Sequence, residues 1–202
     1  MAEALETSSF DDALAALNVG RPIIFPTDTV YGIGLAVGLA QTPQAIYDIK
    51  ERDAGKAIPW LVGQHSSLLL YGQDVPEFAQ TMARVFWPGP LTLIVRAAST
   101  VPKAFCGPDG TIALRMPDDD TALELIRRCG FPLATSSANL QGHKPPRRFS
   151  EIDPAVLSRV SAALGDNVPR SGVSSTVADC TGDHPEIIRV GAITAADFAA
   201  LL

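Results

Sequence analysis

The apolar residues of this chain come in short runs that proline and polar clusters cut off after a few positions. In Arg21-Pro-Ile-Ile-Phe-Pro26, three apolar residues are boxed between prolines, and Thr27-Asp28-Thr29-Val30-Tyr31-Gly32 follows at once. A run this short, bounded by turn formers, suits a buried strand and is too brief for a helix. Comparable runs occupy residues 58–62, 91–95, 111–115, 133–135, 175–177 and 187–190. Between them lie stretches with helical spacing. Residues 8–17 open on Ser8 and Ser9 with two aspartates in the first turn, and residues 42–52 open with Thr42 as cap and Pro43 at the first helical position. Residues 76–85, 121–128 (closed by Gly130) and 150–163 complete the predicted helices. Strands alternating with helices predict an α/β, or mixed α+β, sheet in one domain.

Composition supports a packed core. Of 202 residues, 47% are hydrophobic and 19% charged, which excludes intrinsic disorder. Sixteen basic residues against 22 acidic ones give a net charge of −6, so a uniformly basic nucleic-acid coat is excluded while a local basic patch is not. Cys106, Cys129 and Cys180 are odd in number and far apart, which predicts reduced core residues rather than a disulfide framework or a metal site. The first residues lack a basic n-region, and no apolar run reaches the roughly 18 residues of a membrane helix. The expectation is a soluble cytoplasmic protein without a membrane partner.

Several familiar patterns do not carry through. Gly32-Ile-Gly34-Leu-Ala-Val-Gly38 follows a strand, but its third glycine is one position late for a dinucleotide loop and the next helix starts only near Thr42. Gly55-Lys56-Ala57 lacks the earlier glycine and the hydroxyl residue of a P-loop. His65, His143 and His184 have no metal-ligand spacing, Asp118–Asp120 reads as a solvated turn before a helix, and Ser137 has no nucleophile-elbow context. What remains is a set of strand-end positions rich in cations, hydroxyls and amides: Thr27, Thr29, Lys50, Arg52, Lys56, Thr111, Arg115, Ser137, Asn139, Ser175, Thr176 and Arg189. Thr111 and Arg115 are four apart on one strand and so share a face. Such a set, without a nucleophile–base pair, suits an anionic ligand held by charge and hydrogen bonds at the ends of strands.

Six blocks extend this reading. Phe25-Pro-Thr-Asp-Thr-Val-Tyr-Gly-Ile-Gly34, Lys50-Glu-Arg52, Trp87-Pro-Gly-Pro-Leu-Thr92, Ala113-Leu-Arg-Met-Pro117, Thr135-Ser-Ser-Ala-Asn139 and Ser175-Thr-Val resemble, in order, the YrdC-type family of threonylcarbamoyl-AMP synthases. The resemblance implies a twisted open α/β sheet with a positively charged concave face, forming one YrdC-like domain over residues 1–202 with its core at about 8–194. It also implies an enzyme that joins L-threonine, bicarbonate and ATP into threonylcarbamoyl-adenylate and pyrophosphate. That product would pass to downstream tRNA threonylcarbamoyltransferase proteins for adenosine modification. The alternative is a YrdC-like paralogue that binds double-stranded RNA or tRNA without synthase activity.

By the same resemblance, Lys50, Arg52, Ser137 and Asn139 match the family's Lys-Arg-Ser-Asn tetrad. Thr29, Arg115, Ser137 and Ser175 match threonine-binding positions. Arg52, Lys56, Thr111, Asn139, Arg147 and Arg189 fall at ATP-binding ones. The chain departs from the pattern at Asp53, where proline is common, at Lys56, often a small polar residue, and at Arg147, where a hydroxyl residue is usual. Mg²⁺ is expected with ATP, held mainly by the nucleotide and water because no carboxylate cluster stands out.

Overall fold

The first helix starts where the capping pattern predicts. The Ser9 hydroxyl accepts the Asp12 N–H (3.1 Å) and the Asp12 carboxylate accepts the Ser9 N–H (3.1 Å), which opens α1 (Phe10–Asn18) in this computed structural model. The structure describes residues 7–52, 57–166 and 168–199. After α1 come β1 (Ile23–Phe25), β2 (Gly32–Ala36), α2 (Gln44–Lys50), β3 (Trp60–Leu61), α3 (Ser67–Tyr71), α4 (Glu77–Phe86), β4 (Leu91–Arg96) and β5 (Thr111–Arg115). Then follow α5 (Asp120–Cys129), β6 (Leu133–Ser137), α6 (Pro154–Leu157), β7 (Ala162–Ala163), β8 (Thr176–Asp179), β9 (Glu186–Arg189) and α7 (Ala195–Ala199).

The strands form one open mixed sheet in the order β7-β1-β2-β6-β3-β5-β4-β8-β9, the α/β architecture that the alternation implied. Its two faces differ in kind. Ile24, Ile33, Leu35, Trp60, Leu91, Leu93 and Leu114 pack with Ile46 and Ile49 of α2 and Met82 of α4 in the larger core. Trp60 is edge-on to Tyr71 (5.3 Å) and to Phe105 (6.0 Å) at its centre. On the opposite face, α1 and α5 cover one end, where Leu14 and Leu17 meet Leu125, Ile126 and Leu133. Alternation places Gly32, Gly34, Thr92, Thr111, Ala113, Arg115, Thr135, Ser137 and Arg189 on this second face as well, mostly small or polar residues.

The structure corrects two expectations. The glycine-rich stretch after Tyr31 is not a loop but the interior strand β2, paired to both β1 and β6. A Cβ on Gly34 would lie 2.8 Å from Thr135 Oγ1 and 2.9 Å from Phe25 Cε1, so glycine serves close packing there. Residues 150–163 are not one helix. Pro154 opens the single turn of α6, and the chain then extends into β7, which pairs in parallel with β1. Among the described residues no helix is long and apolar enough to cross a membrane.

Candidate functional site

The turn between β1 and β2 folds back over the small-residue face and fixes a cation there. Thr27 Oγ1 lies 3.1 Å from Thr29 Oγ1 and donates to the Val30 carbonyl (2.6 Å), which shapes the turn. Arg115, at the end of β5, reaches this turn: Nη1 donates to Thr29 Oγ1 (3.1 Å) and Nη2 pairs with Asp28 Oδ1 (2.5 Å). Its Nε donates to the Gly89 carbonyl (3.1 Å), just past the cis Trp87–Pro88 peptide. Burial, with Arg189 nearby, lowers the Arg115 pKa, and Asp28 opposes that shift.

Ser175 adjoins this group from the start of β8. Its hydroxyl lies 2.9 Å from the buried Thr92 hydroxyl, and Arg189 Nη2 donates to both the Ser175 carbonyl (2.8 Å) and Oγ (3.1 Å). Arg189, matched to a nucleotide position in the sequence, thus adds its charge beside Ser175 and Arg115. Burial lowers its pKa too.

A second group gathers where β6 ends. Lys50, the last residue of α2, donates from Nζ to the carbonyls of Ser137 and of Asn139 (2.6 Å) and lies 3.5 Å from Ser137 Oγ. Glu51 in the left-handed conformation (φ 52°) then turns the chain, and Arg52 Nη1 meets Ser136 Oγ at 3.4 Å. Burial first and Arg52 second pull the Lys50 ammonium down to about 8. Asn139 donates through Nδ2 to the Leu140 and His143 carbonyls (2.8 Å each), while its buried Oδ1 has no partner among the described residues. A cavity of about 490 Å³, lined by Leu140, Lys144, Glu151 and Asp153 among others, opens beside it.

The two groups sit at different rows: Ser137 shares a face with Arg115, whereas Arg52 meets Ser136, which alternation turns to the α2-covered face with Ile33. Thr111 pairs opposite Arg96 at the start of β5, four residues and so about 13 Å along the strand from Arg115. Gly32, Gly34 and Ala113 supply little or no side chain to the floor of this face. Arg147 donates from Nε to the Arg170 carbonyl (3.0 Å) and lies against Gly172, whose N–H bonds the Thr29 carbonyl. The loop that carries it, residues 141–148, is tied by Gln141 N–H to the Lys50 carbonyl (2.9 Å) and by the Pro146 carbonyl to Tyr31 N–H (3.0 Å). Lys56 lies outside the described residues. Sequence reasoning passed over Asp28, Thr92 and Ser136. All three lie inside the quoted blocks, but nothing in sequence reveals that Asp28 faces a cation 87 positions away.

Comparison with known proteins places the chain in a family. The Sua5/YciO/YrdC family model, described as "Telomere recombination", matches residues 15–191. The chain belongs to that family. Within it, the Threonylcarbamoyl-AMP synthase of Pyrococcus abyssi is 31% identical over 95% of this chain and 56% of its own length. The Bacillus subtilis protein of the same name is 34% identical over 94% of this chain and 55% of its own. The chain therefore spans little more than half the length of these curated relatives. Among solved structures, P. abyssi Sua5 complexed with L-threonine superposes with a TM-score of 0.88 at 29% identity, over 96% of this chain and 57% of that one.

Proposed function

We propose that this protein is an L-threonylcarbamoyladenylate synthase, a nucleotidyltransferase that converts L-threonine, bicarbonate and ATP to threonylcarbamoyl-AMP and pyrophosphate. The observation that carries the reading is a small-residue face that holds Arg115, Thr29 and Ser175 and ends at Ser137, where Lys50, Arg52 and Asn139 gather. Arg115, Thr29 and Ser175 suit an amino acid, and Lys50, Arg52, Ser137 and Asn139 suit a nucleotide. The names of the family relatives and the threonine-bound Sua5 structure support the same assignment.

The chemistry needs positioning and charge neutralisation more than a protein nucleophile. The neutral threonine amine takes up carbon dioxide from bicarbonate and loses a proton, leaving an N-carboxylate and water. That carboxylate oxygen attacks the ATP α-phosphorus, and the bond to pyrophosphate breaks. Arg115, whose three guanidinium nitrogens are already fixed by Gly89, Thr29 and Asp28, attracts the threonine carboxylate by its charge, while Thr29 and Ser175 orient the rest of the amino acid. Lys50 and Arg52 offset charge on the phosphates, with Thr111 further along the floor. Asn139 Oδ1, a buried acceptor without a partner among the described residues, receives an N–H or O–H from the nucleotide beside the 490 Å³ cavity.

Among the described residues no three of His, Cys, Asp or Glu converge on a metal ion, and Asp28 is committed to Arg115. Mg²⁺ enters, on this reading, as part of the substrate MgATP. A reaction drawing on these substrates belongs in the cytoplasm, and its labile product calls for a transferase that modifies tRNA. The test is pyrophosphate release. The reading requires it to depend on both threonine and bicarbonate, and release indifferent to either would overturn it.

A further inference from the structure

Thr29 is held from behind as well as from the site. Its carbonyl accepts the Gly172 N–H (2.8 Å), and the Ser171 N–H lies 3.4 Å from the Asp28 carbonyl. Residues 168–173 thus run as a strap across the turn that presents Asp28 and Thr29 to Arg115. Gly172 has φ +76°, and a Cβ there would lie 2.5 Å from Arg147, so the strap lies close against its neighbours.

One side chain ties this strap down. Arg170 Nη1 pairs with Asp119 Oδ2 (3.2 Å), Nη2 pairs with Asp166, and the guanidinium stacks 5.4 Å over the Tyr31 ring. The Tyr31 hydroxyl donates in turn to Asp166 (3.1 Å). The Asp119 side chain is 8% exposed and that of Arg170 10%. Asp119 also caps α5, its Oδ1 accepting the Ala122 N–H (2.9 Å). The backbone of Arg170 bonds Arg147 in both directions. Three elements therefore meet at one guanidinium: the strap, the residue that opens β2, and the N-terminus of α5.

We propose that Arg170 is a positioning residue, a clamp that fixes the Asp28–Thr29 turn against Arg115 and so sets the amino-acid end of the site. Its Nη1 and Nη2 are committed to Asp119 and Asp166 over the Tyr31 ring, its buried Nε has no partner among the described residues, and it acts on the ligand through Gly172 and Thr29. Its effect on turnover rests on the synthase reading above, whereas its effect on the strap does not.

Arg170→Met, which keeps the bulk over Tyr31 without the charge, and Arg170→Lys, which keeps the charge without the fork, test this in the full chain. Hydrogen exchange of the Gly172 amide in the ligand-free protein should speed at least tenfold in the Met variant, with β5 amides within twofold of wild type. The KM for threonine should rise about tenfold, that for MgATP should stay within twofold, and Lys should restore part of the difference. If the Met variant does not fold, the Lys variant alone must show the threonine-selective rise. Unchanged Gly172 protection with unchanged threonine KM overturns the proposal, and so does a parallel shift of both KM values and the β5 amides. A wild-type protein that makes no threonylcarbamoyl-AMP would remove the synthase reading, and Gly172 exchange would still decide the clamp.

Discussion

Asp28 and Arg115 form an ion pair of 2.5 Å across the site, with side chains 16% and 8% exposed. Burial lowers the Arg115 pKa, and Asp28 is the group that counters it. Removing one partner of a buried pair leaves the other uncompensated, which typically costs about 3–5 kcal/mol. Asp28→Ala should therefore destabilise the fold by about 3 kcal/mol in a denaturant titration, and Asp28→Asn by less. A loss under about 1 kcal/mol for Asp28→Ala would mean that the pair contributes little.

Lys50 gives the site a pH limit. With its ammonium held down to about 8 by burial and by Arg52, the cation is present at neutral pH and fades as pH rises through that value. The kcat/KM for MgATP, at saturating threonine and bicarbonate, should fall about tenfold between pH 7.5 and 9.5, the scale of one charge-assisted contact. Lys50→Arg, whose charge does not titrate in this range, should flatten the profile. A wild-type profile level to pH 9.5 would contradict the assignment.

The floor of the site depends on Gly34. A methyl there would meet Thr135 Oγ1 at 2.8 Å and the Ala134 carbonyl at 3.1 Å. Gly34→Ala should lower stability by about 1–3 kcal/mol, the range for overpacking, as measured by chemical denaturation. Retention of wild-type stability would show that β2 and β6 can separate freely.

This glycine also marks where sequence reading stops. Local pattern made β5 legible, because Thr111–Arg115 alternates in a run bounded by turn formers, and likewise α5, because Gly130 ends it in the left-handed conformation (φ 78°). The helix at residues 42–52 begins two positions later than Thr42, with Pro43 as the cap. Strand β2 was hidden because its glycines answer to Phe25 and Thr135, which only the fold brings near. Strand β7 was hidden because its two residues gain their pairing from β1, well over a hundred positions earlier. The site divides the same way. Cations and hydroxyls in motif blocks could be picked out, whereas Asp28, Thr92 and Arg170 matter through partners that spacing does not encode.

Arg52 separates binding from folding. Its contact with Ser136 Oγ is long at 3.4 Å, so Arg52→Ala should change stability by no more than about 0.5 kcal/mol. Loss of a charge-assisted phosphate contact, about 1.5–3 kcal/mol, should slow pyrophosphate release roughly 10- to 150-fold. Wild-type turnover in this variant would remove Arg52 from the nucleotide group.

The most direct measurement is a crystal structure with L-threonine, bicarbonate and a non-hydrolysable ATP analogue bound together. The threonine carboxylate should lie on Arg115 beside Thr29 and Ser175, with the phosphates against Lys50 and Arg52 across the floor formed by Gly32, Gly34 and Ala113. Density for threonine away from Arg115, for the phosphates away from Lys50 and Arg52, or for the two at sites that do not adjoin, would contradict it.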